Sequence, residues 1–339
     1  MIKKWMKRAL LVMTTAALLT GCAAPANESA GSGDADAYPS GNMDLVCPGG
    51  AGGGWDLTIR TTAKVLADEG LVDVAMPVTN KPGGGGGVTL SYLQTKDGED
   101  DTISVYSPPL LLINLNGSSE YSYEDTTPLA RLIADYGAFV VAKDSKFQSI
   151  NEVIDALKAD PKSVKIGGAS AVGSMDHIQF LMIAKAAGIE NVKDIDYVSF
   201  QDGGATAQVL GGHVDLLSTG LGDVEGLIES GDLRVLAHTA DKRVGEGTMA
   251  EIPTVQEQGI DATFINWRGI FGPPNMPEHA VKYWEEKLGQ MVETEGWKDA
   301  LAKNGWDSIY LNSSDFKAFL DKTNEEYKGI LEDIGMLSN

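Results

Sequence analysis

The chain has 339 residues and a formal charge of −21, from 27 Lys and Arg against 48 Asp and Glu. That acidic balance excludes a nucleic-acid partner, because little remains to neutralise a phosphate backbone. The length supports a full hydrophobic core and points to two domains. Gly supplies 40 residues, about 12% where roughly 7% is usual.

The N-terminus reads as an address. Lys3, Lys4, Lys7 and Arg8 precede an apolar run, Ala9–Thr20, too short to span a bilayer but suited to the core of a signal peptide. The run ends in Leu19-Thr20-Gly21-Cys22, which resembles a bacterial lipobox, where the Cys is lipidated and becomes the new N-terminus. Residues 1–21 are therefore expected to be a lipoprotein signal peptide, Cys22 the lipidation site and 22–40 a flexible tether, since Ala23–Ser40 is small, polar and aperiodic. No later stretch has 18 consecutive apolar residues, so the remainder is expected to be soluble and extracytoplasmic, anchored to the membrane through the lipid. Cys47 is left as a lone thiol, read as a buried strand-end residue. Two Cys make no disulfide framework or zinc site, and His177, His213, His238 and His279 lack metal-ligand spacing. No metal or cofactor is expected.

Beyond the tether, short apolar runs alternate with amphipathic helices, which is an α/β pattern. A strand at Asp44–Cys47 runs into Pro48–Trp55 and a helix to about Asp68. Val74–Val78 is a second strand, followed by Asn80-Lys81-Pro82, the glycines Gly83 to Gly87 and a helix from about Val88. Thr102–Tyr106 is a third, ending in Ser107-Pro108-Pro109. Phe139–Ala142 is a strand leading into a new region, with a helix at Asn151–Ala159 and a strand at Val164–Ile166 before the Gly167–Ser174 loop. Asp176–Ala187 is helical, and Ile195–Phe200 a strand ending in Gln201-Asp202-Gly203-Gly204. After a helix at Ala205–Leu210 come strands at Val214–Ser218 and Val235–Thr239, with Gly220-Leu221-Gly222-Asp223 opening a helix between them. Thr263–Phe271 is extended, and helices at Glu278–Val292, Gly296–Asn304 and Ser314–Leu331 finish the chain.

A strand that ends in a glycine loop before a helix presents free backbone N–H groups, a ready-made anion site. In open α/β sheets ligands sit beyond the carboxyl ends of the strands. Five or six such loops together point to one crevice, although each loop alone reads first as a tight turn. The GxGxxG, P-loop and GxSxG patterns all fail, so no nucleotide or hydrolase signature is complete.

Several segments, in order, resemble the substrate-binding proteins of tripartite tricarboxylate transporters, the Bug receptor family. They are Val46–Asp56, Asn80–Gly87, Thr127–Ile133, Gly211–Asp215, Leu236–Thr239, Ile252–Gly259, Trp267-Arg268-Gly269 and Gly272-Pro273-Pro274. The resemblance implies a bilobed, periplasmic-binding-protein type II α/β fold. Residues 41–140 and 265–339 would form one discontinuous lobe and 141–264 the other, around a ligand cleft. It also implies an extracytoplasmic solute-binding protein. Such a protein captures a small organic carboxylate, a tricarboxylate such as citrate first, and delivers it to large and small membrane permease subunits.

On that resemblance Gly52, Gly53, Gly54 and Asp56 form the first binding loop; Asp56 equally suits a helix N-terminus. Trp55 is either a lid over ligand or packing. Asn80, Gly84 and Gly85 belong to the second loop. Ser107 is placed to donate a hydroxyl. Ser170, Gly173 and Ser174 suit a second carboxylate, with Ser174 equally an N-cap. His177 is either a ligand contact or a core His. Asp202, Gly203 and Gly204 form a further cleft loop, where Asp202 would repel an anion and so orients water or backbone, or recognises an amine or hydroxyl. Asp223 is similar and reads first as a cap; Arg268 is the cation to suspect near the lobe crossing, although such an Arg more commonly pairs with a carboxylate inside a lobe. No bond is expected to be made or broken. A module that signals to a membrane sensor kinase is the alternative. An enzyme using Asp56, His177 and Asp202 as acid/base groups ranks below both.

Overall fold

The computed structural model describes residues 38–200 and 204–338. The expectations for the leader, the tether and Cys22, and those for Asp202 and Gly203, lie outside the described residues. The chain begins β1 (Asp44–Cys47), α1 (Gly54–Asp68), β2 (Val78–Asn80), α2 (Gly87–Gln94), β3 (Thr102–Tyr106) and α3 (Pro109–Leu115). β4 (Thr127–Ala142) leads to α4 (Ile150–Ala159), β5 (Ile166–Gly168), α5 (Met175–Ala186), β6 (Tyr197–Ser199), α6 (Ala205–Leu210), β7 (Leu216–Gly220), α7 (Glu225–Glu229) and β8 (Leu233–His238). The return is β9 (Ile265–Gly272), followed by α8 (Glu278–Met291), α9 (Glu295–Asn304), β10 (Asp307–Leu311) and α10 (Ser313–Asp333).

β2, β1 and β3 pair in parallel, and so do β6, β5 and β7. β4 ties the two sets together. Thr127–Tyr136 pairs antiparallel with β9, which pairs with β3, whereas Gly137–Val140 pairs with β7. β10 lies along the first part of β4 and β8 along the second. The neighbours of β4 thus change between Tyr136 and Gly137. The result is the expected α/β architecture with two lobes.

Helix patterning explains the layers. In α4, Ile150, Val153, Ile154 and Leu157 are buried, one stripe at 3.6-residue spacing, and the Ser149 hydroxyl accepts the Glu152 N–H at 3.3 Å as an N-cap. α10 buries Phe316, Leu320, Thr323, Tyr327 and Leu331 in the same way. One core joins α3, α4, α5 and α10 to β4 and β9; a second joins α1, α8 and α9 to β1 and β3. Among the described residues, no helix is long and apolar enough to cross a membrane.

Several boundaries differ from the sequence reading, each for a local reason. β2 starts at Val78 rather than Val74 because Pro77 has no N–H for the ladder; its carbonyl only accepts from Leu45. β4 starts twelve residues before Phe139. Its Asp135-Tyr136-Gly137 interruption looks like a strand end, yet only Thr127, Arg131 and Ala142 are not fully buried. Gly220 ends β7, Leu221–Asp223 stay a turn and helix begins only at Glu225. β10 and α3 are not anticipated; β10 is only five residues long and pairs antiparallel with β4.

The glycine of Trp267-Arg268-Gly269 is a packing device. The Phe316 ring sits 5.5 Å from Trp267 and 5.2 Å from Phe271, centroid to centroid, and a Cβ on Gly269 would stand 2.4 Å from it. The substitution Gly269→Ala is therefore expected to destabilise by about 1–3 kcal/mol through overpacking. Chemical denaturation checks this: an unchanged midpoint would show that the ring has free space.

Candidate functional site

The point where β4 changes neighbours gathers polar side chains inside an apolar sheet. Asn266 and Arg268 stand two apart on β9 and so share a face, and Asn266 lies opposite Asp135 of β4. Arg268 Nη2 lies 3.4 Å from Asp135 Oδ2, and Nη1 donates to Thr58 Oγ1 at 3.1 Å. Both ends of this pair are buried, at 6% and 3% exposure. Asn266 Nδ2 donates to the same carboxylate at 3.5 Å. Asp223 approaches from the β7 side. A Cβ on Gly220 would stand 2.8 Å from Asp223 Oδ2 and 3.0 Å from Asp135 Oδ2, so the bare glycine makes room for two carboxylates. Surrounding protein raises the pKa of both acids, and Arg268 draws both back down. Asp223 nonetheless remains reachable from solvent along the cleft.

α1 begins above this cluster. A Cβ on Gly54 would stand 2.5 Å from Arg268 Nη2, so the guanidinium fits under the helix start only because Gly54 has no side chain. Gly53 is the N-cap and supplies no side-chain bond. The N–H groups of Gly54, Trp55 and Asp56 have no acceptor among the described residues. They are the orphan donors of a helix N-terminus. Trp55 Nε1 donates to Ser107 Oγ at 2.9 Å, leaving that hydroxyl its own proton to donate. The Trp55 ring lies over bare backbone: a Cβ on Gly49 or Gly86 would be 3.1 or 3.5 Å from it.

Other expected anion donors are satisfied by the chain itself. Asp56 Oδ2 accepts the Gly52 N–H at 2.9 Å, and Oδ1 accepts from Arg60 at 2.8 Å and Asn80 at 2.8 Å. Burial alone would raise the Asp56 pKa, but these bonds overcome it and hold the group at about 2. Asn80 also donates to the Gly49 carbonyl, so it ties the first two loops together. In the other lobe, Asp176 Oδ2 accepts the N–H groups of Ala169 and Ser170, both at 2.9 Å. Burial pushes this carboxyl up to about 7 against those bonds. Burial also lowers His177 to about 4, so the ring is neutral, and its Nδ1 accepts the Gly173 N–H at 3.0 Å.

A cavity of about 200 Å³ opens at the crossing, lined by Trp55, Ser107, Ser170, Asp223, Asn266 and Arg268 together with Gly49, Gly53, Gly54, Pro109 and Met175. Of the residues singled out from sequence, it brings together Gly53, Gly54, Trp55, Ser107, Ser170, Asp223 and Arg268. Gly52, Asp56, Asn80, Gly84, Gly85, Gly173, Ser174, His177 and Gly204 do not line it. Gly84 and Gly85 serve a turn: Gly83 to Gly86 all have positive φ, which side-chain-bearing residues avoid. Met175 and Asn266 were not singled out. A signal for Asn266 existed, since two polar residues at i and i+2 interrupt an otherwise apolar strand. A larger hollow of about 320 Å³ between α1 and α9 is lined by Leu57, Val65, Asp68 and Lys303 among others, and contains none of the free loop N–H groups.

Comparison with known proteins gives one consistent result. The family model described as the tripartite tricarboxylate transporter family receptor matches residues 62–336. The protein BugT of Bordetella pertussis is 24% identical over 337 residues, covering 97% of this chain and 98% of its own. A Rhodopseudomonas palustris protein solved with adipate superposes with a TM-score of 0.76 at 20% identity, over 88% of this chain and 98% of that one. MatC of the same organism, solved with bound malate, gives 0.69 at 18% identity, over 88% and 99%.

The Asp56 network predicts a pH dependence. Its pKa is about 2 in the fold against an ordinary 3.8, so its contribution is complete above pH 4 and disappears as pH falls towards 2. Solvent screening limits it to about 1 kcal/mol. The stability gap between the unmodified chain and Asp56→Asn, followed by denaturation at several pH values, should close over that interval. A gap of constant size from pH 6 to pH 2 would contradict the assignment.

Proposed function

The chain belongs to the tripartite tricarboxylate transporter receptor family, and on that basis we propose that it is an extracytoplasmic lipoprotein that captures a small organic carboxylate and delivers it to the transporter's membrane permease. The observation that carries the reading is Arg268. Its guanidinium is held by Thr58 and Asp135, lines the cavity, and sits against Gly54 at the start of α1, whose first three N–H groups are unpaired among the described residues. Charge-assisted bonds from a guanidinium and N–H groups suit a carboxylate. The adipate and malate held by two similar proteins are carboxylates of this small class.

Residues 41–140 with 265–339, and 141–264, are the two lobes in this reading, joined through β4 and β9. Gly54, Trp55, Ser107 and Arg268 belong to the first, and Ser170, Met175 and Asp223 to the second. A ligand that touches both favours the closed arrangement by its differential affinity. The receptor binds without turnover, and Cys22 carries the lipid that keeps it at the membrane. The cavity of about 200 Å³ suits a compact ligand, with citrate at the larger end of the range.

Native mass spectrometry of purified protein, with thermal shift against citrate, tricarballylate, succinate, malate, glutamate and aromatic carboxylates, tests the ligand class. We expect at least one carboxylate to raise Tm, and a panel with no effect would sink the reading. Gly54→Ala, which pushes a Cβ into the guanidinium, should weaken that ligand by about tenfold or more, the scale of one charged hydrogen bond. The anchor has its own test. Cys22→Ser should move the exported protein from the membrane to the soluble fraction, and unchanged fractionation would refute lipid attachment.

A further inference from the structure

The cavity is not uniformly suited to anions. Its Arg268 end offers donors, but its Asp223 end offers acceptors. Asp223 lines the cavity, with a Thr219 hydroxyl 3.5 Å from its Oδ2. Asn266 supplies an independent second observation. It lines the same cavity, is 4% exposed, and its Oδ1 has no hydrogen-bond partner. The amide cannot be turned round to relieve this. Its Nδ2 faces the Asp135 carboxylate, and a reversed amide would set oxygen against oxygen. A buried acceptor without a partner is costly, and such groups in native proteins call for a donor.

Charge adds to the argument. Two carboxylates, Asp135 and Asp223, face one guanidinium. When both are ionised the cluster has an excess of one negative charge, and a ligand bearing only carboxylates adds to it. A ligand with a carboxylate for Arg268 and a donor for Asp223 matches both ends. An ammonium serves better than a hydroxyl, because it also offsets the excess charge.

Building on the carboxylate reading, we infer that Asp223 and Asn266 Oδ1 form an acceptor pair that reads a hydrogen-bond donor on the ligand and selects amino- and hydroxy-carboxylates over plain ones. Asp223 is then a specificity-determining residue. Asn266 supplies the second acceptor, held in place by Asp135.

Matched ligands test this by calorimetry on the mature protein: succinate, malate and aspartate; glutarate and glutamate; propionate, lactate and alanine. In at least one set the amino member should bind about tenfold or more tighter than the plain one, the scale of a hydrogen bond to a charged group, with the hydroxy member between. In Asp223→Ala that ratio should fall close to one. Asp223→Asn keeps the shape of the side chain and should lose the ammonium preference in the same way, which covers the case where the Ala variant does not fold. Plain and amino members binding equally would overturn this inference and leave the carboxylate reading intact. A ratio that survives in the Asp223 variants would do the same. Binding by no member of any set would overturn both.

Discussion

The ion pair between Arg268 and Asp135 is the constraint on which the rest of the site depends. It sits where β4 changes partners, and both groups are almost fully buried. A buried pair is not in itself a source of stability, because desolvation offsets much of the attraction. Removing one partner is the expensive event, on the order of 3–5 kcal/mol, because the other charge remains. Around this pair the chain has made room in specific ways. Gly54 leaves space for the guanidinium, Gly220 for the second carboxylate, and Thr58 takes one of the spare guanidinium hydrogens. The loops of both lobes are thereby aimed at one charged centre.

The loops themselves fall into two kinds. Those after β1 and β5 carry an acidic residue in the first turn of the following helix, and that residue turns back on the loop: Asp56 to Gly52, Asp176 to Ala169 and Ser170. The carboxylate satisfies donors that would otherwise need a ligand or water. The start of α1, next to Arg268, keeps three N–H groups without an acceptor among the described residues. The free donors of α1 thus stand beside a buried guanidinium, although the glycine loops are spread over many strand ends.

Much of this was legible in sequence. The alternation of strand, glycine loop and helix gave the α/β class, and ordered motifs led to the family that the match over residues 62–336 supports. Element centres followed from apolar periodicity, as in α4 and α10. The sequence reading faltered where tertiary pairing overrides local pattern. Asp135-Tyr136-Gly137 breaks an apolar run, and nothing local shows that β4 continues through it by exchanging neighbours. Site residues were harder. Glycine marks a place where backbone comes close to something, but not to what. At Gly54 it is Arg268, at Gly86 it is Tyr106 and at Gly269 it is Phe316. His177 illustrates the same limit, since only the fold shows its ring nitrogen already bonded to Gly173.

The continuity of β4 has a mechanical meaning. Sixteen residues run from one lobe into the other without a loop, and most remain hydrogen-bonded to a neighbour on the way. A connection of this kind has no slack segment about which a lobe can swing. Any rotation of one lobe against the other would be absorbed as twist, shared along the strand and along β9 beside it. The register irregularities at Pro128/Ala130, Arg131/Ile133 and Phe139/Val140 lie on both sides of the crossing. Bulges are where a strand twists most readily. β4 is in this sense a torsion rod, and Asp135, near its midpoint, ties the charged centre of the cleft to the part of the chain that must turn.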